Sequence, residues 1–182
     1  MEADHARMKT RVEAYRTPRL QRALVREAER LARRIKAELL LLAKAIAAMA
    51  DLSHRLALIE SVRGIGRRTA LSLLLLMPEL GSLSRTQAAS LAGLAPFDRD
   101  SGRHRGQRRI AGGRSRVRRA LYAAALPASF RWNTNLVATY QRLIANGKNH
   151  KQALTACARK LLIFANAVLQ RQTPWQNQSN GC

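Results

Sequence analysis

Ile59-Glu-Ser-Val62-Arg-Gly64-Ile65-Gly66-Arg67-Arg68-Thr-Ala70-Leu-Ser-Leu73 is the stretch that decides how this chain is organised. It matches a helix-hairpin-helix pattern over residues 59–73. Gly64 and Gly66 permit a tight reversal because neither carries a Cβ. Ile65 plugs the gap between the two helices, and Ala70 is small enough to let them cross closely. The second helix then offers N-terminal amides that have no partner within the helix, and such amides attract phosphate. Gly64, Ile65, Gly66, Arg67 and Arg68 are therefore candidate contacts to a nucleic-acid backbone, which are blind to sequence. A glycine turn that only packs two helices together would use the same residues.

Outward from this unit the periodicity stays helical. A helix is predicted from Asp51 or Ser53 to near Val62, and an apolar one from Thr69 to Met77, stopped by Pro78. Ser84-Arg-Thr-Gln87 is a capping box opening a short helix that ends at Gly93 and Pro96. Phe97 to Gly113 shows neither period and reads as loop or a short irregular hairpin. Helical spacing resumes from Arg114 to Phe130, with Pro127 expected to kink or end it. Further helices are predicted over Asn135 to Ala145, capped by Asn146-Gly147, and over His150 to Gln170. On the N-terminal side, Thr17-Pro18 is a helix start. From there Leu20, Leu24, Leu31, Ile35, Leu39, Leu42, Ile46 and Met49 form a coiled-coil-like stripe that needs a returning helix or a second copy. Residues before Thr17 read as frayed or as the end of a preceding helix. The expected fold is all-α: an N-terminal extension and long helix over 1–52, a compact helical domain over 53–172, and a disordered polar tail over 173–182.

Composition narrows the partner. Lys and Arg total 33 against 11 acids, a formal net charge of +22, on a chain that is 47% hydrophobic. So much apolar residue excludes a disordered basic tail, and the charge points to a polyanion, DNA or RNA by default. Cys157 and Cys182 have no metal-ligand spacing, and the four histidines are scattered, so no metal site is expected within this chain. The first residues lack the apolar core of a signal peptide, and no membrane span is read; a cytoplasmic, soluble protein is expected.

The chemistry-bearing segment is Gly93 to Tyr122, where nine arginines surround Ser101. Arg103, Arg105, Arg109, Arg114 and Arg118 are the candidate phosphate contacts, since guanidinium groups grip phosphate in a bidentate way. A hydroxyl among such groups suits nucleophilic attack on a phosphodiester, whose transition state is stabilised chiefly by charge. A plain nucleic-acid grip has the same composition, and a serine before glycine is common in turns. Asp98 and Asp100 form a close acidic pair, too few for a two-metal nuclease. Tyr122 and Tyr140 sit at helical core spacing, which disfavours them as nucleophiles.

Taken in order, Ser61-Val-Arg-Gly-Ile-Gly66, Leu91-Ala-Gly-Leu-Ala-Pro96-Phe-x-Arg-Asp-Ser101-Gly, Arg105-Gly-x-Arg-Arg-Ile110-x-Gly-Gly-Arg114, Arg119-Ala-Leu-Tyr122, Asn146-Gly-Lys148 and Arg159-Lys-Leu-Leu162 form a series. It resembles the C-terminal half of insertion-sequence transposases that join a RuvC-like DEDD domain to a serine domain and are guided by a bridge RNA. The resemblance runs from Thr17 to Trp175. It implies that Ser101 is the nucleophile, forming a covalent phosphoserine with DNA, and that neighbouring arginines neutralise the transition state. It also implies that the long helix joins the two domains and builds a homo-oligomer. Magnesium is expected only in the N-terminal DEDD domain, which this chain lacks, so a truncated element is expected. Thr134 stands where the family commonly has proline. The alternatives are a non-catalytic nucleic-acid-binding remnant and a dimerisation module.

Overall fold

The computed structural model describes residues 2–14, 17–97, 109–110 and 112–176. They divide into two compact units, Met1–Ala50 and Asp51–Cys182.

In the first unit, α1 (Glu2–Ala14) folds back along α2 (Pro18–Ala47). The stretch before Thr17 is thus a helix of its own, and one returning helix covers part of the α2 stripe. Thr17 takes the extended conformation of an N-cap, and its carbonyl receives the Gln21 amide at 3.1 Å. No side-chain oxygen caps α2, because proline at its first position already removes one orphan donor. Leu20, Val25, Leu40 and Leu41 remain exposed along it.

The second unit is helical: α3 (Ala50–Ser61), α4 (Arg67–Leu76), α5 (Arg85–Leu91), α6 (Ser115–Pro127), a π-helical turn (Ala128–Trp132), α7 (Thr134–Ala145) and α8 (His150–Arg171). The all-α expectation holds; the sole β structure among the described residues is a two-residue antiparallel pair, β1 (Pro96–Phe97) with β2 (Arg109–Ile110). The core helix is α8, which packs on α5, α6 and α7. Its apolar residues recur on more than one face, and Leu154, Cys157, Leu161, Leu162 and Ala165 are fully buried. It is also long and apolar enough to cross a membrane by length and composition, yet more than half of that stretch is buried in this core. Burial, the largest cause, raises the Cys157 thiol above its ordinary range, which keeps it inert.

Local rules explain the ends of these helices. Ser84 with Gln87, and Asn149 with Gln152, each form a capping box. Buried Asn166 on α8 accepts from the Gly81 amide at 2.8 Å and donates to the Leu83 carbonyl at 2.7 Å, fixing the turn ahead of α5. Pro127 ends the α-helical geometry as expected, but the chain continues into a π-turn closed by the Asn133 amide on the Ala128 carbonyl at 3.1 Å. Trp175 packs on Phe164 with ring centroids 4.1 Å apart, and its amide donates to Ser61 Oγ at 2.8 Å. These contacts anchor the chain at Trp175; residues 177–182, most of the tail expected to be disordered, lie outside the described residues.

Candidate nucleic-acid interface

Two helices and a turn of five residues, Val62 to Gly66, build the first part of the site. Gly64 has φ +101°, a backbone region closed to most L residues, and a Cβ placed there would overlap the Ala128 methyl group. Ile65 is buried in the turn, and its amide bonds the Val62 carbonyl at 2.9 Å. Ala70 is fully buried, as close helix packing demands. Gly66 occupies the N-cap of α4 in an extended conformation, with no side chain capping the helix. A Cβ at Gly66 would meet open space, so the N-terminus of α4 is not crowded at its cap. Arg67 and Arg68 take the first two positions of α4, and Arg67 lies 3.6 Å from Glu60 while more than half exposed.

A buried residue that the sequence reading passed over holds this turn. Asn133 is fully buried; its Oδ1 accepts the Leu136 amide at 3.2 Å as the cap of α7, and its Nδ2 donates to the Arg63 carbonyl at 2.8 Å. An asparagine immediately before a helix was the available signal. Its second bond, to a carbonyl 70 residues away, left no local trace.

The second part is the stem beneath residues 98–108. Pro96 pairs with Ile110 and Phe97 with Arg109. The Arg114 amide donates to the Leu91 carbonyl at 2.8 Å, and a Cβ on Gly113 would run into the Gly93 backbone. Arg118 donates to the carbonyls of Gly112 at 2.6 Å and Gly93 at 3.3 Å. Arg114 reaches Glu79 with both terminal nitrogens, at 2.8 and 2.5 Å, and the Leu76 carbonyl at 2.9 Å. That bidentate hydrogen bond, first among the causes, lowers the Glu79 carboxyl to about 2 and raises the Arg114 guanidinium. Arg114 and Arg118 therefore brace the fold here, through bonds to carboxylate and carbonyl oxygens. Arg109 joins the stem through its backbone, whereas Ser101, Arg103 and Arg105 lie outside the described residues.

Tyr140 donates to, or accepts from, His150 Nδ1 at 2.7 Å and is part of an aromatic group with Phe130. Among the described residues no three His, Cys, Asp or Glu side chains gather as a metal would require, so no magnesium donor set is found within them.

Both parts, the turn and the stem with its intervening segment, fall inside one stretch of recognisable sequence. Residues 56–141 match the transposase family IS116/IS110/IS902. The pilin gene-inverting protein of Moraxella bovis is 32% identical over 131 residues, which is 70% of this chain and 41% of that protein. Its counterpart in Moraxella lacunata is 31% identical over the same length. The insertion element IS110 uncharacterized 43.6 kDa protein of Streptomyces coelicolor is 32% identical over 128 residues, 66% of this chain and 30% of that protein. The aligned part thus spans about two fifths of the Moraxella relatives. The span similar to that transposase family takes in the α3–α4 turn, α6 and most of α7.

Proposed function

We propose that this chain is the DNA-binding and serine-nucleophile part of an insertion-sequence transposase, working in DNA transposition or recombination. The observation that carries the reading is the transposase-family match over residues 56–141, which takes in both the α3–α4 turn and Ser101. In this reading the turn acts as a helix-hairpin-helix: the N-terminal end of α4, with the side chains of Arg67 and Arg68, holds a DNA backbone phosphate. Ser101 attacks a second phosphate: its Oγ bonds phosphorus as a sugar oxygen leaves with the proton, giving a phosphoserine from which strand exchange proceeds. Arg103, Arg105 and Arg109 stabilise the charge that builds on phosphorus. Arg114 and Arg118 act as positioning residues that hold the stem. A homo-oligomer through α2, and a guide RNA shared with a magnesium-binding domain, complete the proposal.

The test is covalent trapping on a donor-end DNA with a full-length partner supplied. Wild type should give a serine-linked adduct, and Ser101→Ala should give none. Equal adduct from both would remove Ser101 from the chemistry.

A second reading, binding without chemistry, is favoured by Arg114 and Arg118, which spend part of their hydrogen-bonding on protein oxygens of the stem. It predicts no adduct at all, together with affinity that falls steeply with salt and shows little sequence preference.

A further inference from the structure

The π-turn leaves two aromatic rings in water. Phe130 is 53% exposed and Trp132 56%, in a chain with only 4% aromatic residues. Exposing two such rings costs hydrophobic free energy unless a partner covers them. Phe130 is not isolated: its ring meets Tyr140 edge-on at 4.9 Å and lies nearly parallel to His150 at 6.2 Å, with 23° between the planes. Tyr140 is in turn hydrogen-bonded to His150. Three side chains from the π-turn, α7 and α8 thus hold one another in fixed orientation at the surface.

The chemistry around this group selects its partner. Arg131 stands between the two ring residues in sequence, and Lys148 and Lys151 flank His150; all three cations are exposed. Among the described residues no carboxylate pairs with them. The turn that carries these rings also packs on the candidate phosphate site. Ala128, at one end of the π-turn, abuts Gly64, and Asn133, just past its other end, bonds the Arg63 carbonyl. Aromatic faces beside a cationic, phosphate-binding turn fit a nucleic-acid strand whose bases are unpaired, since every base offers a π-face and every linkage a negative charge. A paired duplex keeps its base faces stacked inside and has nothing to offer these rings.

We propose that Phe130, supported by Tyr140 and His150, is a stacking platform for an unpaired base of single-stranded nucleic acid, with Trp132 as a second ring on the same turn; this rests on the reading of the domain as DNA-binding. The experiment uses the full chain carrying Trp175→Phe, which leaves Trp132 as the sole tryptophan. Its probes are a fluorescein-labelled oligothymidylate and the duplex of that strand with oligoadenylate. Saturating single strand should quench Trp132 emission, and the duplex should quench it far less. Phe130→Leu keeps an apolar contact with Tyr140 but removes the ring. It should raise Kd for the single strand about fivefold or more, with duplex affinity changed less than about twofold. Unchanged Trp132 emission while anisotropy shows the single strand bound overturns the platform. So does an equal loss of both affinities in Phe130→Leu, or a dimer that this variant dissolves with both affinities intact. Should the duplex bind and the single strand fail to, only the platform falls; should neither bind, the DNA-binding reading falls with it.

Discussion

Gly64→Ala tests whether the α3–α4 turn is held by geometry that only glycine supplies. The new methyl group faces two separate penalties. At φ +101° it sits in a backbone region that costs an L residue about 1–2 kcal/mol. It also overlaps the fully buried Ala128, and forcing extra volume into a packed core costs about 1–3 kcal/mol. The reduced freedom of the unfolded chain offsets about 0.4–1 kcal/mol. A net loss of about 2–4 kcal/mol follows, which lowers the melting temperature of a domain this size by about 5–15 °C. Circular dichroism melts at 222 nm would read it, alongside urea titration. Gly66→Ala is the paired control, because its methyl group enters open space at φ −84°. It should cost no more than about 1 kcal/mol, through a poorer N-cap. Adding Ala128→Gly to Gly64→Ala should restore the steric part and leave the backbone part, a coupling measurable as a double-mutant cycle. If Gly64→Ala melts within 2 °C of wild type (about 1 kcal/mol or less), or if Gly66→Ala is equally damaging, the argument is refuted.

Other perturbations reach the remaining contacts. The Glu79 carboxyl titrates near 2 in the fold against an ordinary 4.5, so its contribution is complete above about pH 4.5 and is lost as pH falls toward 2. Melting temperature should drop between about pH 5 and pH 3 more in wild type than in Glu79→Gln; identical pH profiles would show that the Arg114 pair contributes nothing. The effect should be modest, because both side chains are over a third exposed. Asn133→Ala removes the α7 cap and leaves the Arg63 carbonyl without its donor. It should lower stability by about 2–4 kcal/mol in urea titration. Arg67→Gln should weaken DNA binding and reduce the slope of log Kd against log salt by about 1; an unaltered slope would place Arg67 off the DNA.

How far the residues alone could take the argument differs from place to place. Helix starts were legible wherever a short-range rule set them: Ser84 with Gln87, Thr17-Pro18, and the glycines of the α3–α4 turn all act within a few residues. The end of α6 was legible as well, because proline removes a backbone donor. The π-turn that follows was not, since its geometry answers to Gly64 and Arg63, more than 60 residues earlier. Arg114 shows the same limit. In sequence it stands in an arginine-rich run and suggests phosphate; its partner Glu79 lies 35 residues upstream and only the fold brings them together. Tyr140 fell at helical core spacing, where an aromatic buried in a core and one left near the surface look alike.

The π-turn between α6 and α7 also sets what kinds of change this domain can absorb. Its closing bond skips five residues, from the Asn133 amide to the Ala128 carbonyl, so it holds one residue more than an α-turn of the same reach. Removing any single residue from 128–132 would let the segment wind as ordinary α-helix and swing Asn133 about the axis by roughly 100°. The α7 cap and the brace on Arg63 would be lost in the same stroke. Exchanging Phe130, Arg131 or Trp132 for other side chains leaves that count intact. The junction therefore counts residues strictly while leaving the identity of its outward side chains open to selection by whatever the surface meets.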